Sequence, residues 1–238
     1  YVRFFPIVGA IIVIFDLFAN VYFFNGRIGG NDLVLILTGF TWLLYPYIPS
    51  YYFRERDFVF IFINILTLLV VLPSTIYNLN QASTLDGSSS PAEILIVNLF
   101  LAKPLSFILN ILGYDSIALG EVLKYRSMNG TLSQVFIAQG CSGLYSVAIF
   151  VSAFIAFVST EYQKFNFEVL ALLITGIIIA YIANLFRMVL IVIVGIHRGS
   201  EALIWAHANV GWLIFILWIW LFWSLLSSFL DESKKANI

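Results

Sequence analysis

Residues 93–112 read Glu93-Ile94-Leu95-Ile96-Val97-Asn98-Leu99-Phe100-Leu101-Ala102-Lys103-Pro104-Leu105-Ser106-Phe107-Ile108-Leu109-Asn110-Ile111-Leu112, an apolar run interrupted at its centre. Its length suits a transmembrane helix, which needs about 20 predominantly apolar residues. Lys103-Pro104 works against that reading. Proline removes a backbone donor and kinks a helix, and a lysine at mid-bilayer costs roughly 2.5–3.5 kcal/mol on insertion scales. A faint polar stripe runs through Asn98, Ser106 and Asn110. How this segment lies decides the topology of the chain on either side of it.

Upstream, apolar runs at 4–24, 32–48 and 58–76 have spanning length; downstream, so do 142–159, 167–195 and 207–229. Suppose 93–112 is a kinked or re-entrant helix of the outer leaflet and the N-terminus is cytoplasmic. Arg3, Arg54, Arg56, Lys164, Lys234 and Lys235 then lie inside, and Arg27, Lys124, Arg126 and Arg198 lie outside. If the segment spans fully, the first half inverts and only Arg27, Lys164, Lys234 and Lys235 remain inside. The excess of basic residues on cytoplasmic loops favours the first arrangement. The predicted fold is therefore an all-α integral membrane protein, a polytopic helical bundle of six full spans plus the kinked or re-entrant helix, with seven spans as the alternative. The whole of 1–238 reads as one membrane domain, with three spans in 1–77, no internal repeat and no separate soluble domain.

Composition points the same way. The chain is 61% hydrophobic and only 11% charged, against about 25% charged in soluble domains. Its formal net charge of -1 argues against a nucleic-acid partner, which would demand a basic patch. Both topologies make residues 114–140 and 196–206 extracytoplasmic loops. Asn129-Gly130-Thr131, in the first of these, matches a glycosylation acceptor. Tyr45, Tyr47, Tyr51, Tyr52 and Trp212 read as anchors at the membrane interface.

Three residues carry candidate chemistry. Cys141 is the only cysteine, in Gln139-Gly140-Cys141-Ser142-Gly143-Leu144-Tyr145, where a polar loop turns into an apolar helix. A helix N-terminus lowers a thiol pKa, and its unpaired N–H groups suit an oxyanion. The flanking glycines would let a substrate backbone approach the sulfur. Arg187 lies about 12 Å below the outer end of its span at 1.5 Å per residue, with Asn184 one turn earlier on the same face. An intramembrane arginine marks a functional site, and its planar fork suits an oxyanion, carboxylate or phosphate. His207 opens the last run and supplies the usual base for a cysteine nucleophile. His197, followed by Arg198, is the competing base. One cysteine and two histidines without short spacing make no zinc site, and no cofactor-binding motif is present.

Taken together, Cys141-Ser142-Gly143-Leu144, then Asn184-Leu185-Phe186-Arg187, then His207 with Gly211 one turn later, resemble the exosortase/archaeosortase family of membrane transpeptidases. Lys103-Pro104-Leu105 through Leu112-Gly113 also looks like the family's segment preceding its cysteine. Residues 92–230 would be the catalytic core. The resemblance implies Cys141 as nucleophile, Arg187 as oxyanion or thiolate partner and His207 as general base. Ser142, Gly143, Asn184 and Gly211 would then contact substrate. The implied partners are client proteins bearing a C-terminal sorting signal: a short motif, a transmembrane helix and a basic end. The implied acceptor is a membrane lipid amine, with water as the alternative that would make the enzyme a plain protease, and the active site is expected on the extracytoplasmic face of the cell membrane. Gln139-Gly140 departs from the small or acidic residues often seen before the family's cysteine.

A membrane transporter or lipid-binding protein is the rival reading, with Arg187 as an anion site and Cys141 incidental. A structural subunit is the third. The first requires a polar pathway and the second scattered polar groups, whereas the trio here lies at the same ends of three successive runs.

Overall fold

The computed structural model describes residues 2–23, 29–81, 94–95, 97–137, 143–162 and 166–236. The chain is mostly helical. Three of the described helices are long and apolar enough to cross a membrane: Phe5–Tyr22, Ser50–Pro73 and Phe167–Arg198. It divides into two compact units. One comprises Tyr1–Gly87 with Ala148–Leu173, and the other Ser88–Val147 with Ile174–Ile238.

The first unit is built on α1 (Phe5–Phe23), α2 (Gly30–Leu44) and α3 (Phe53–Gln81). Small residues let α1 and α2 approach closely, as lipid-embedded helices require. A Cβ on Gly39 would lie 2.5 Å from the Val13 side chain. Polar side chains then tie α2 to α3: Trp42 Nε1 donates to Asn64 Oδ1 at 2.8 Å, and the hydroxyls of Thr38 and Thr67 pair. Near the start of α3, Arg56 lies over the Tyr45 ring at 4.3 Å while Tyr45 Oη donates to Asp57 at 2.7 Å.

The second unit carries the candidate site. The interrupted segment becomes a π-helical turn, Asn98–Ala102, leading directly into α4, Lys103–Ile111. Proline is tolerated at the start of the regular α4 turn, and the wider π turn before it takes up the mismatch. Four residues before Pro104, the carbonyl of Phe100 lacks its ordinary helical donor. Tyr181 Oη supplies one at 2.8 Å. Lys103 itself is exposed, and Leu101, Ala102, Leu105 and Leu109 face the core.

One expectation needs correction: the unit is not all-α. Residues Ser116–Leu119, Val122–Arg126 and Leu132–Phe136 form an antiparallel sheet β1-β2-β3. In β2 the side chains alternate, with Leu123 and Tyr125 buried and Lys124 and Arg126 exposed, which is the period of a half-buried strand. Gly120 (φ 62) and Gly130 (φ 76) make the two turns, where a left-handed conformation favours glycine. The expected polar loop thus has a hydrophobic inner face. Leu123, Tyr125 and Ile137 join Leu105, Leu109, Leu185, Met188 and Val192 in one buried cluster. The stripe on α4 has a task here as well. Ser106 Oγ and Asn110 Nδ2 donate to the Ser116 carbonyl at 2.9 and 3.0 Å.

After α5 (Leu144–Phe157) come α6 (Phe167–Arg198) and α7 (Ser200–Ala236). A second correction concerns residues 196–206, expected as a loop. Only Gly199 separates α6 from α7, in a left-handed conformation (φ 88) with its N–H bonded to the Gly195 carbonyl at 2.9 Å. That is how a glycine closes a helix and lets the next begin at once. The Ile196 carbonyl, in the last turn of α6, accepts from Met128 N–H at 3.2 Å and Ser127 Oγ at 3.1 Å. The β2–β3 turn therefore caps α6, satisfying a carbonyl that the helix end leaves open.

Candidate active site

Asn184 and Arg187 stand three residues apart on α6, so their side chains share one face. Asn184 is buried, with Leu185 and Met188 packed beside it in the core. Against it lies Gly143, the described residue that leads into α5. Gly143 has φ 81, and a Cβ there would come within 2.5 Å of Asn184 Nδ2. Only glycine fits, because both the backbone conformation and the space exclude a side chain. Its carbonyl accepts the Val147 N–H at 2.9 Å, which starts the helix.

Arg187 meets the third element. Gly211 on α7 is buried under the arginine, whose Cδ and Nη1 would each lie 3.6 Å from a Cβ at that position. One turn earlier on α7, on the same helix face as Gly211, stands His207. His207 is thus well inside α7, whose first residue is Ser200, rather than at the opening of the helix. His207 itself is exposed, while its neighbour Ala206 is buried in the core.

Asn184 and Arg187 also line a small cleft of about 10 Å³, together with Ser146, Ala180, Ala183, Ile214 and Trp218. That volume holds about one water molecule. Its polar groups sit among apolar walls, where a fixed hydrogen-bond donor stabilises charge far better than in water. Ser146 and Trp218 were not singled out by the sequence. Ser146 had one legible signal, a hydroxyl one turn after Gly143 in an otherwise apolar run.

Five of the seven expected site residues are therefore brought together: Gly143, Asn184, Arg187, His207 and Gly211. Cys141 and Ser142 lie outside the described residues. The competing base, His197, is engaged elsewhere; its Nε2 is 3.0 Å from Tyr114 Oη, with the two rings edge to face. Among the described residues, no three His, Cys, Asp or Glu side chains come together in a way that would hold a metal ion.

The sequence profile described as "Transmembrane exosortase" matches residues 3–224, nearly the whole chain. Neither a curated protein nor a solved structure matches the chain.

Proposed function

The chain belongs to the transmembrane exosortase family, and from that premise we propose that it cleaves client proteins at a C-terminal sorting signal through a thioester on Cys141. That it is a membrane-embedded sorting transpeptidase acting on proteins with such signals follows from the family; the residue roles and the chemistry are our reading. The observation that carries this reading is the convergence of three helices on Arg187. Asn184 shares its helix face, Gly211 packs beneath it, and His207 stands one turn before Gly211 on the same face of α7. Gly143, two residues after Cys141, rests on Asn184.

In this reading His207 takes the proton of the Cys141 thiol, and Sγ attacks the scissile carbonyl on the extracytoplasmic face. The carbonyl oxygen becomes an oxyanion, which Arg187 stabilises from its fixed position above Gly211. Collapse of the tetrahedral species breaks the C–N bond, and His207 delivers a proton to the leaving amine. The client's C-terminal helix departs and its remaining body is held as a thioester. An incoming nucleophile, a lipid amine or water, then gives up its proton to His207 and releases the client. Asn184 holds Gly143, and with it the start of α5, in register with Arg187.

Deleting the gene should cause one or more surface proteins to accumulate with the C-terminal helix still attached. Re-expression of wild type should restore processing and Cys141→Ala should not. A Cys141→Ala variant that processes the client normally would refute the reading.

A further inference from the structure

The three-stranded sheet has two edges, and among the described residues only the β1 edge has partners. On β1, Ser116 turns its backbone away from β2. Its N–H donates to Asn110 Oδ1 at 2.9 Å, and its carbonyl accepts from Ser106 and Asn110. Side chains of α4 thus cover that edge at Ser116.

β3 is different. Ser127 N–H bonds to the Thr131 carbonyl at 2.9 Å, and Ile137 N–H to the Glu121 carbonyl at 2.8 Å. These bonds fix the phase of the ladder: odd-numbered residues of β3 bond toward β2. Leu132, Gln134 and Phe136 therefore point their N–H and C=O groups outward. No described residue bonds to those groups. The three side chains are exposed too, Leu132 by 78% and Phe136 by 59%. Natural edges are usually blunted by charge, proline or a bulge. Leu132-Ser133-Gln134-Val135-Phe136 carries no charge and no proline, and its pairing with β2 is unbroken. Nor can lipid cover it, because hydrocarbon leaves peptide groups unsatisfied.

Ile137, directly after the strand, is buried in the same cluster as Leu185 and Met188, which flank Arg187. Phe136 precedes Cys141 by five positions, at most about 18 Å of extended chain. A peptide laid along this edge would be led toward the reacting groups.

We propose that the open edge of β3 is the docking strand for the client's sorting motif. The motif binds as an extended fourth strand, bonded to the backbone of Leu132, Gln134 and Phe136. Alternate client residues lie level with Phe136 and Gln134, on the outer sheet face that also carries Leu119 and Lys124. Main-chain bonds would supply affinity, and contacts of the alternate side chains the specificity. This rests on the reading of the chain as a sorting transpeptidase with Cys141 as nucleophile.

The test uses the full chain in lipid nanodiscs. Its probe is a peptide of the C-terminal segment of whichever surface protein accumulates uncleaved when the gene is deleted. Each amide of the motif is replaced in turn by an ester, which removes one N–H donor. Esters at alternate positions should raise KM about tenfold, the loss of one hydrogen bond of about 1.4 kcal/mol, with little change at the positions between. Gln134→Pro, which deletes an outward N–H, should raise KM similarly at unchanged kcat, and by clearly more than Gln134→Ala, which keeps that N–H and loses only the side chain. A flat ester series, or Gln134→Pro with wild-type KM, would overturn the proposal. So would a wild-type dimer that Gln134→Pro makes monomeric, because the edge would then belong to a second copy. Cys141→Ala separates the two levels. If it is inactive while the ester series is flat, only the docking strand falls; if it is active, the transpeptidase reading falls.

Discussion

Gly143 and Asn184 are fitted to each other so closely that the glycine admits no side chain. A Cβ would lie 2.5 Å from the amide nitrogen of Asn184, at a residue whose φ of 81 already disfavours one. This contact joins the start of α5 to the helix that carries Arg187. Gly143→Ala must therefore displace either the start of α5 or the asparagine. Client processing should fall about 100-fold, the effect expected of a shift near 1 Å in a reacting group. Initial rates on the client peptide, with unfolding followed in parallel, would check it.

Arg187 is expected to act through its fork geometry as well as its charge. Arg187→Lys keeps the charge and loses the paired donors. Turnover should drop roughly 10- to 100-fold, somewhat less than the loss of a whole oxyanion donor. A lysine variant with wild-type kcat would remove the bidentate role.

Gly211 makes only ordinary contact with Arg187, at 3.6 Å. Gly211→Ala should process clients nearly as well as wild type. Gly211→Leu should lose most activity, because overpacking costs about 1–3 kcal/mol and would push the guanidinium off its place. Comparing the two variants isolates the position of Arg187 from the mere presence of a glycine.

Tyr181 donates to the carbonyl of Phe100, whose helical donor Pro104 lacks. Tyr181→Phe should lower stability by about 0.5–1.5 kcal/mol, read as a lower midpoint of thermal unfolding in detergent. Catalytic constants at low temperature should hardly change, since the tyrosine touches none of the reacting groups.

Much of the helical architecture was legible because apolar run length is a strong signal in a membrane chain. The run at 4–24 coincides closely with α1, Phe5–Phe23. Spacing also revealed the pairing of Asn184 with Arg187 and of His207 with Gly211, since one helical turn is enough to set each on a common face. The sheet was hidden for a physical reason. Its outward residues, including Lys124, Arg126 and Gln134, give the segment the average polarity of a loop, and three strands of four or five residues offer little periodicity to detect. The run at 196–206 misled for another reason: His197, Arg198, Gly199 and Ser200 look like a loop, yet one left-handed glycine is all the turn requires. Ser106 and Asn110 were visible as a stripe, but their partner, Ser116, belongs to a strand that the sequence did not announce.

The most direct test is to look for the acyl-enzyme itself. Wild-type protein mixed with its client peptide and quenched in acid should show a mass increase on Cys141 equal to the part of the peptide before the cut. Neutral hydroxylamine should release that adduct, and Arg187→Lys should slow its formation. Cleavage that proceeds at the normal rate with no adduct on Cys141, or with one on another residue, would contradict the account.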